Sequence, residues 1–517
     1  MPHSPQPLRF HAAEHPRDPL VSLGNAKQAL YARSYLFDLD CRVIVEEPYY
    51  FDHDYLAEFG AFYGTSARGY TNVCRRLTLF DVKVTDVPTF RRHFEAALSG
   101  DQSAAAILQA AFLGFVVLRP IPAAPFGRTV LRSYPPKPGV LDRVMEPCRD
   151  YTIHLAGMPL VVRGVAWQQQ DRGVSACATI ALWTMLHSSA FHERHALPTT
   201  VSITLAAHKT ASLGSRVFPS DGLLIEQILE AIKEHQLSPI VMEGDKTLPT
   251  GAKVFTKERF CGSCAALLRS GYPVLISGIR NGGHAVCAVG FRPMQRAKIA
   301  PGSSGLEDSN FEHVYIHDDN LGASVRFKVE EDAATGAVNL VPDAPSPGPR
   351  GPRPVVDPCV GVAPLVPRSI VVAVHREVRV EPDKIHAEAL ERAELLSYAL
   401  QAASFGEGVS VAPRFVLLSR YLNEELRTVV APKDLARVRL TLCEDVAPMS
   451  YHVAVARFGL PGVALMDVIF DTTDSELNCA PFAHVVFSPM VDPLLDAITQ
   501  SDAALRDEWF GTRVQGF

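Results

Sequence analysis

The 517-residue chain has no apolar run long enough to cross a membrane. Its most apolar stretch, 104–118, is too short for a span and contains Gln109, which leaves a buried helix or a helix–strand pair. The opening residues, MPHSPQPLRFHAAEHPRDPL, lack the apolar core of a secretion signal, so residues 1–20 read as a loose terminus. Charge of one sign is not in excess: 50 Lys and Arg stand against 56 Asp and Glu. A net charge of −6 gives no electrostatic case for nucleic acid or an anionic membrane as partner. Cysteine is sparse, ten residues scattered without the spacing of a disulfide framework. Without a secretion signal they read as reduced, buried thiols of a cytoplasmic protein. No fixed-period repeat is present, which excludes a solenoid or propeller.

Hydrophobic residues make up 47% and charged residues 21%, an ordinary globular balance. The chain is too long for one core, so two or three domains are expected. From residue 20 to about 147 the pattern mixes helices (88–98, 103–111) with a strand-like FLGFVVLRP and a turn-rich IPAAPFGRTVL. Arg119 and Arg128 there read as solvated or ion-paired, and the region carries no recognisable chemistry. A new unit opens near Tyr151. It has helices at about 176–186, 221–236 and 258–269, the second with Leu224, Ile228 and Ile232 on its buried face. A strand at 272–279, the turn RNGG and a returning strand at 284–291 form a hairpin, followed by strands at 312–318 and 323–329. Helices first and an antiparallel meander after is the order of an α+β domain. The proline- and glycine-rich 341–367 reads as a linker or long loop, and 368–380 as a strand completing the preceding sheet. Beyond a helix at 385–402 come strand candidates 437–442, 451–457, 464–471 and 483–487, then a helix near 493–505. The fold class is α+β, divided into 1–150, 151–380 (including the loop 341–367) and 381–517, with mixed α/β flanks.

The stretch WQQQDRGVSACATIALWTML (167–186) sets one cysteine ahead of an apolar helix. Ser175 is the expected N-cap, which puts Cys177 in the first turn, where free N–H groups and the helix dipole favour a thiolate. A cysteine nucleophile also needs a base, a residue to orient that base, and donors for the oxyanion. His284, after the small residues NGG, is positioned as base; Asp318, ending the next strand, as its orienting carboxylate. Gln170 is the candidate oxyanion donor beside the Cys177 N–H.

This ordered set, Q…CATIALWTML, GHAVCAVGF and VYIHDDN, resembles the papain-like cysteine peptidases, closest to the bacterial branch that cleaves double-glycine leader peptides. The resemblance covers about residues 160–330. It implies a central helical lobe plus antiparallel sheet, and a cysteine peptidase or isopeptidase working through a Cys–His–Asp triad and a thioester. It implies a peptide or protein substrate, no cofactor and no metal. Ala178 stands where the family has glycine. The Gln-to-Cys spacing is longer than in the family, so Gln169 and Gln168 stay open beside Gln170. Asp319 and Asn320 stay open beside Asp318 as third residue.

Cys261-Gly-Ser-Cys264 copies the string around the papain nucleophile, but it lies too close to His284 and on the helix that feeds the hairpin. It reads as a pair of buried helix thiols, and as a zinc half-site it lacks a second pair. His452 and His484, on candidate strands, read as structural. Two rivals accompany the hydrolase reading: the same triad run as an acyltransferase with an amine acceptor, and a non-catalytic scaffold on the peptidase fold. Oligomeric state is left open.

Overall fold

Asp52, Asp86 and Asp101 each stand one residue before a helix and accept hydrogen bonds from its first backbone N–H groups. They start His53–Ala61, which packs on the helix Thr200–Ala207, and Val87–Leu98 and Gln102–Ala111, which pack with a five-stranded antiparallel sheet. The sheet runs in the order Arg9–Ala12, Cys41–Tyr50, Cys74–Asp81, Phe112–Leu118, Phe126–Leu131. The computed structural model describes residues 7–136, 141–188, 190–191, 195–210, 216–220, 222–294, 298–343, 356–446, 448–474 and 479–517. Within them, the loose terminus expected over 1–20 is corrected: Arg9–Ala12 pairs along Cys41–Tyr50, anchored by Phe10 against Phe90. Residues 1–6 lie outside the described residues. The apolar stretch 104–118 is a helix–strand pair, and all of Phe112–Leu118 is buried. The turn-rich IPAAPFGRTVL holds the strand Phe126–Leu131. Among the described residues no helix is long and apolar enough to cross a membrane.

The central sheet has seven strands, all pairs antiparallel: Val338–Pro342, Gly322–Glu331, Phe311–Asp318, Gly283–Pro293, Val274–Ile279, Val366–His375, Leu237–Glu243. The hairpin and the two strands after it follow the sequence pattern. Val366–His375 then returns to the far side of Val274–Ile279, completing the sheet as read from 368–380. Of the loop 341–367, residues 344–355 lie outside the described residues. The helices Cys177–Leu186 and Lys257–Arg269 both pack on Gly283–Pro293. Residues 284–291 are accordingly buried whichever way they point, and HAVCAVGF is apolar without alternation. One correction applies to the helix Ile225–Glu234: Leu224 is its N-cap residue and 63% exposed, so Ile228, Ala231 and Ile232 form the buried face.

A third sheet takes Ser304–Leu306 as its edge and continues through Val409–Leu417, His452–Leu460, Val463–Asp471, Pro481–Val486 and Thr512–Gln515. Its two outermost pairs are parallel and the inner ones antiparallel. The strand expected at 437–442 is instead part of the helix Pro432–Glu444. Pro432 sits in its first turn, Val438 and Leu442 are buried one turn apart, and Leu440 is 57% exposed. The helix expected near 493–505 is two, Val491–Ile498 and Ala503–Phe510. Gln500 and Ser501, with φ of 53° and 61°, break the run, and Asp502 caps the second helix. The chain is α+β; one apolar cluster extends from Leu20 to Phe510 through the three larger sheets, and a second lies against the C-terminal sheet between Val416 and Val514.

Candidate active site

Every residue of Cys177–Leu186 after Cys177 is buried, while Cys177 itself is half-buried. The core therefore holds the helix rigid and leaves its first turn at the surface of a cleft. The expected cap is corrected: Ala176, not Ser175, is the N-cap residue, and it brings no side-chain acceptor. The Ser175 hydroxyl donates instead to buried Glu58 at 3.0 Å, because a carboxylate withdrawn from water must be satisfied by donors. The first-turn N–H groups at Cys177 thus have no side-chain cap.

The turn between the hairpin strands needs left-handed backbone at Asn281 and Gly282 (φ 52° and 116°), which the sequence NGG supplies. It delivers His284 as the second residue of its strand, 8% exposed. Asp318 ends Phe311–Asp318, and its backbone oxygen accepts from Trp167 Nε1 at 3.0 Å, tying the strand end to the Cys177 segment. His284 Nε2 lies 3.7 Å from Asp318 Oδ1 and 3.7 Å from Asp319 Oδ1, ion-pair separations that leave the other ring nitrogen for the Cys177 side.

Burial disfavours charging His284, yet the Asp318 carboxylate, the Cys177 thiol and Asp319 outweigh it and raise its pKa to about 10. Burial likewise works against ionised Asp318. His284 and the Arg280 guanidinium, which donates to Asp318 Oδ2, nonetheless hold it well below the usual carboxylate range. Asp319 goes the other way: burial, with Asp318 beside it, raises it to about 7 against the pull of His284. The donor atoms of His284, Asp318 and Asp319 lie within 4.8 Å of one another, but Arg280 already occupies Asp318, so a dication there would sit beside a guanidinium.

The other candidates separate cleanly. Gln170 Nε2 donates to Asn320 Oδ1 at 2.7 Å, and both line the cleft with Cys177. Asn320 is therefore on the amide side of the thiol. Gln168 is turned inward onto Glu58 at 2.7 Å, and Gln169 is held by Phe126 N and Ala123 O. The cleft measures about 1120 Å³, and its far wall comes from the N-terminal region through Phe62, Tyr63 and Tyr70.

Arg280, Glu58 and Asp171, to which the sequence did not point, shape the site together with Arg119, while Arg119 and Arg128 are ion-paired. Arg280 fixes Asp318; its nearest signal is its place in RNGGH. Arg119, buried, bridges Glu58 at 2.8 Å and Asp171 at 3.3 Å and donates to Gln169 O at 2.8 Å. Asp171 Oδ1 in turn accepts from the N–H groups of Gly173, Val174 and Ser175. This network holds the loop ahead of Cys177, and nothing local in the sequence announces it. Arg128 is ion-paired with Asp52 at 2.9 Å.

Cys261 and Cys264 lie buried inside Lys257–Arg269. Burial pushes the Cys261 thiol up to about 12 and Cys264 well above its ordinary range. All ten cysteines are free thiols. His484 is buried, with Nδ1 3.0 Å from Gly511 O. Compared with known proteins, the chain matches no family model and no curated relative.

Proposed function

We propose that the chain is a cysteine peptidase or isopeptidase with a papain-like central region. The observation that carries this reading is the meeting of a half-buried thiol, a buried imidazole and a buried carboxylate that Arg280 keeps ionised. With a pKa raised to about 10, His284 is an imidazolium at neutral pH, and an imidazolium beside a thiol favours the thiolate. In this reading the Cys177 thiolate attacks the carbonyl carbon and the carbonyl π pair moves onto oxygen. The oxyanion takes the uncapped Cys177 N–H and one Gln170 amide hydrogen; the other is spent on Asn320. As the intermediate collapses, the C–N bond breaks and His284 gives its proton to the leaving amine. Neutral His284 then takes a proton from water, whose oxygen attacks the thioester and releases the acid.

Asp318 is the orienting residue in this scheme, because Asp319 shares its site with a raised pKa of about 7 and Asn320 is engaged with Gln170. The N-terminal region supplies a wall of the cleft through Phe62, Tyr63 and Tyr70. Thiol labelling of Cys177 against pH, wild type beside His284→Ala, tests the scheme. Fast labelling well below pH ~8 is expected in the wild type. Without the imidazolium, labelling near pH ~6 is expected to drop on the order of 100-fold. Equal, slow labelling in both proteins overturns the hydrolase reading.

A further inference from the structure

At the seam between the central and C-terminal sheets, three metal-ligand side chains converge outside the cleft that holds Cys177. His375 is the last residue of Val366–His375, Glu377 lies in the turn that follows, and His452 is the first residue of His452–Leu460. Glu377 Oε2 is 3.8 Å from His375 Nδ1 and 3.6 Å from His452 Nδ1, and the three donor atoms all lie within 4.8 Å of one another. The two imidazoles stack at 4.5 Å and 20°, so both turn the same nitrogen toward the same carboxylate.

Chemistry limits what such an arrangement can be. A neutral imidazole whose proton sits on Nε2 presents Nδ1 as a lone pair, so both rings can act as nitrogen ligands here while Glu377 supplies the balancing charge. Ligand atoms about 2.0–2.1 Å from a tetrahedral Zn²⁺ stand about 3.4 Å apart. The two Glu–His separations are near that value, and the rings, 20° from parallel, tilt out of their stack for both Nδ1 lone pairs to meet one ion. His375 Nδ1 also lies 3.5 Å from the Glu377 backbone N–H, at the outer limit of a hydrogen bond and easily replaced by a metal bond. His452 is positioned from behind: its carbonyl accepts from Ser450 Oγ at 2.6 Å and Thr472 Oγ1 at 2.7 Å. The same turn docks on the next strand end through Arg379 N to Thr472 O at 2.7 Å. His452 is buried whereas Glu377 is half-exposed, which gives an ion a way in and a water a fourth position.

We infer that His375, Glu377 and His452 form a Zn²⁺ site that clips the C-terminal sheet to the central sheet. Two imidazoles and a carboxylate are a borderline donor set suited to zinc and poorly suited to Mg²⁺ or Ca²⁺. The site is independent of the Cys177 chemistry.

The test uses the full chain, stripped with a chelator, dialysed and titrated with ZnCl₂ in a calorimeter, with a thermal melt on each sample. One Zn²⁺ per chain at micromolar affinity or better is expected, with a rise in Tm of about 2–5 °C at saturation. His375→Ala and the near-isosteric, surface-exposed Glu377→Gln each lose at least 10-fold in affinity and most of the Tm rise, while His284→Ala keeps both. No saturable binding in the wild type overturns the site. So does binding that survives Glu377→Gln and His375→Ala unchanged, or that disappears in His284→Ala, which places the ion with Asp318 and Asp319.

Discussion

Two helices pack on the strand that carries His284, and each brings cysteine to it. Cys177–Leu186 offers its cysteine at the first position, half-buried, at the edge of a cleft and beside the imidazole. Lys257–Arg269 buries Cys261 and Cys264 in its middle turns, where the surroundings push both thiols upward. The local string around Cys264 is the more familiar one, yet it is Cys177 that stands beside the His284 imidazole. Position along a helix and access to a partner decide what a thiol does; the neighbouring letters do not.

The sharpest way to break that contrast is to remove the partner's support. Asp318→Asn leaves Arg280 buried beside a neutral amide, at a cost of about 3–5 kcal/mol by chemical denaturation. It also removes the main charge that keeps His284 protonated, so Cys177 labelling near neutral pH falls about 10-fold. Asp319→Asn is the matched control. Its carboxyl is already strained toward the neutral form, so the amide stabilises the fold at neutral pH, on the order of 1 kcal/mol, and labelling stays within a few-fold. The reverse ranking of the two variants would transfer the orienting role to Asp319.

A second, smaller effect lies in pH. His284 is raised from its ordinary 6.5 to about 10, so the folded chain binds the imidazolium proton more tightly than the unfolded chain does. The stabilisation is complete below pH ~6.5 and drains away as pH rises through about 10. The stability difference between wild type and His284→Gln, measured by urea unfolding across that window, therefore shrinks with rising pH, by about 2–4 kcal/mol in all. A difference that is flat from pH ~6 to ~10 means the imidazole is neutral in the fold and the thiol at Cys177 has no counter-ion.

What the sequence made legible was whatever repeats locally. The hairpin at 274–293 is written in its apolar runs and in NGG, and Cys177, His284 and Asp318 are legible because each sits at or next to the end of a regular element. Arg437 to Leu442, RVRLTL, misleads for a physical reason: alternation fits a strand, but Val438 and Leu442 fit one helix turn equally well, and Pro432 settles the choice. Nothing periodic marks Glu58 or Arg119. Glu58 belongs to an ordinary helix, and its partners Gln168, Ser175, Thr200 and Arg119 come from distant positions. A buried ionic network is a tertiary fact, legible only once the strand after Gln102–Ala111 has placed Arg119 under the Cys177 loop. The N-terminal region, which carried no chemistry as sequence, thereby becomes the support of the loop that precedes the thiol.

The smallest expected effect is the one that isolates position from composition. Cys264→Ala removes a sulfur from a fully buried site where the backbone helix stays intact and alanine is the better helix former. The loss is one atom of packing, about 1 kcal/mol, read as a modest fall in the unfolding midpoint. Because Cys264 is buried within a helix that packs on the same strand as the Cys177 helix, labelling of Cys177 and its pH profile should be unchanged. A shifted profile would mean that packing behind the strand tunes His284, and the two helices would then act as one unit. An unchanged profile leaves the thiol's character to its helix end, its imidazole and the carboxylate that Arg280 holds.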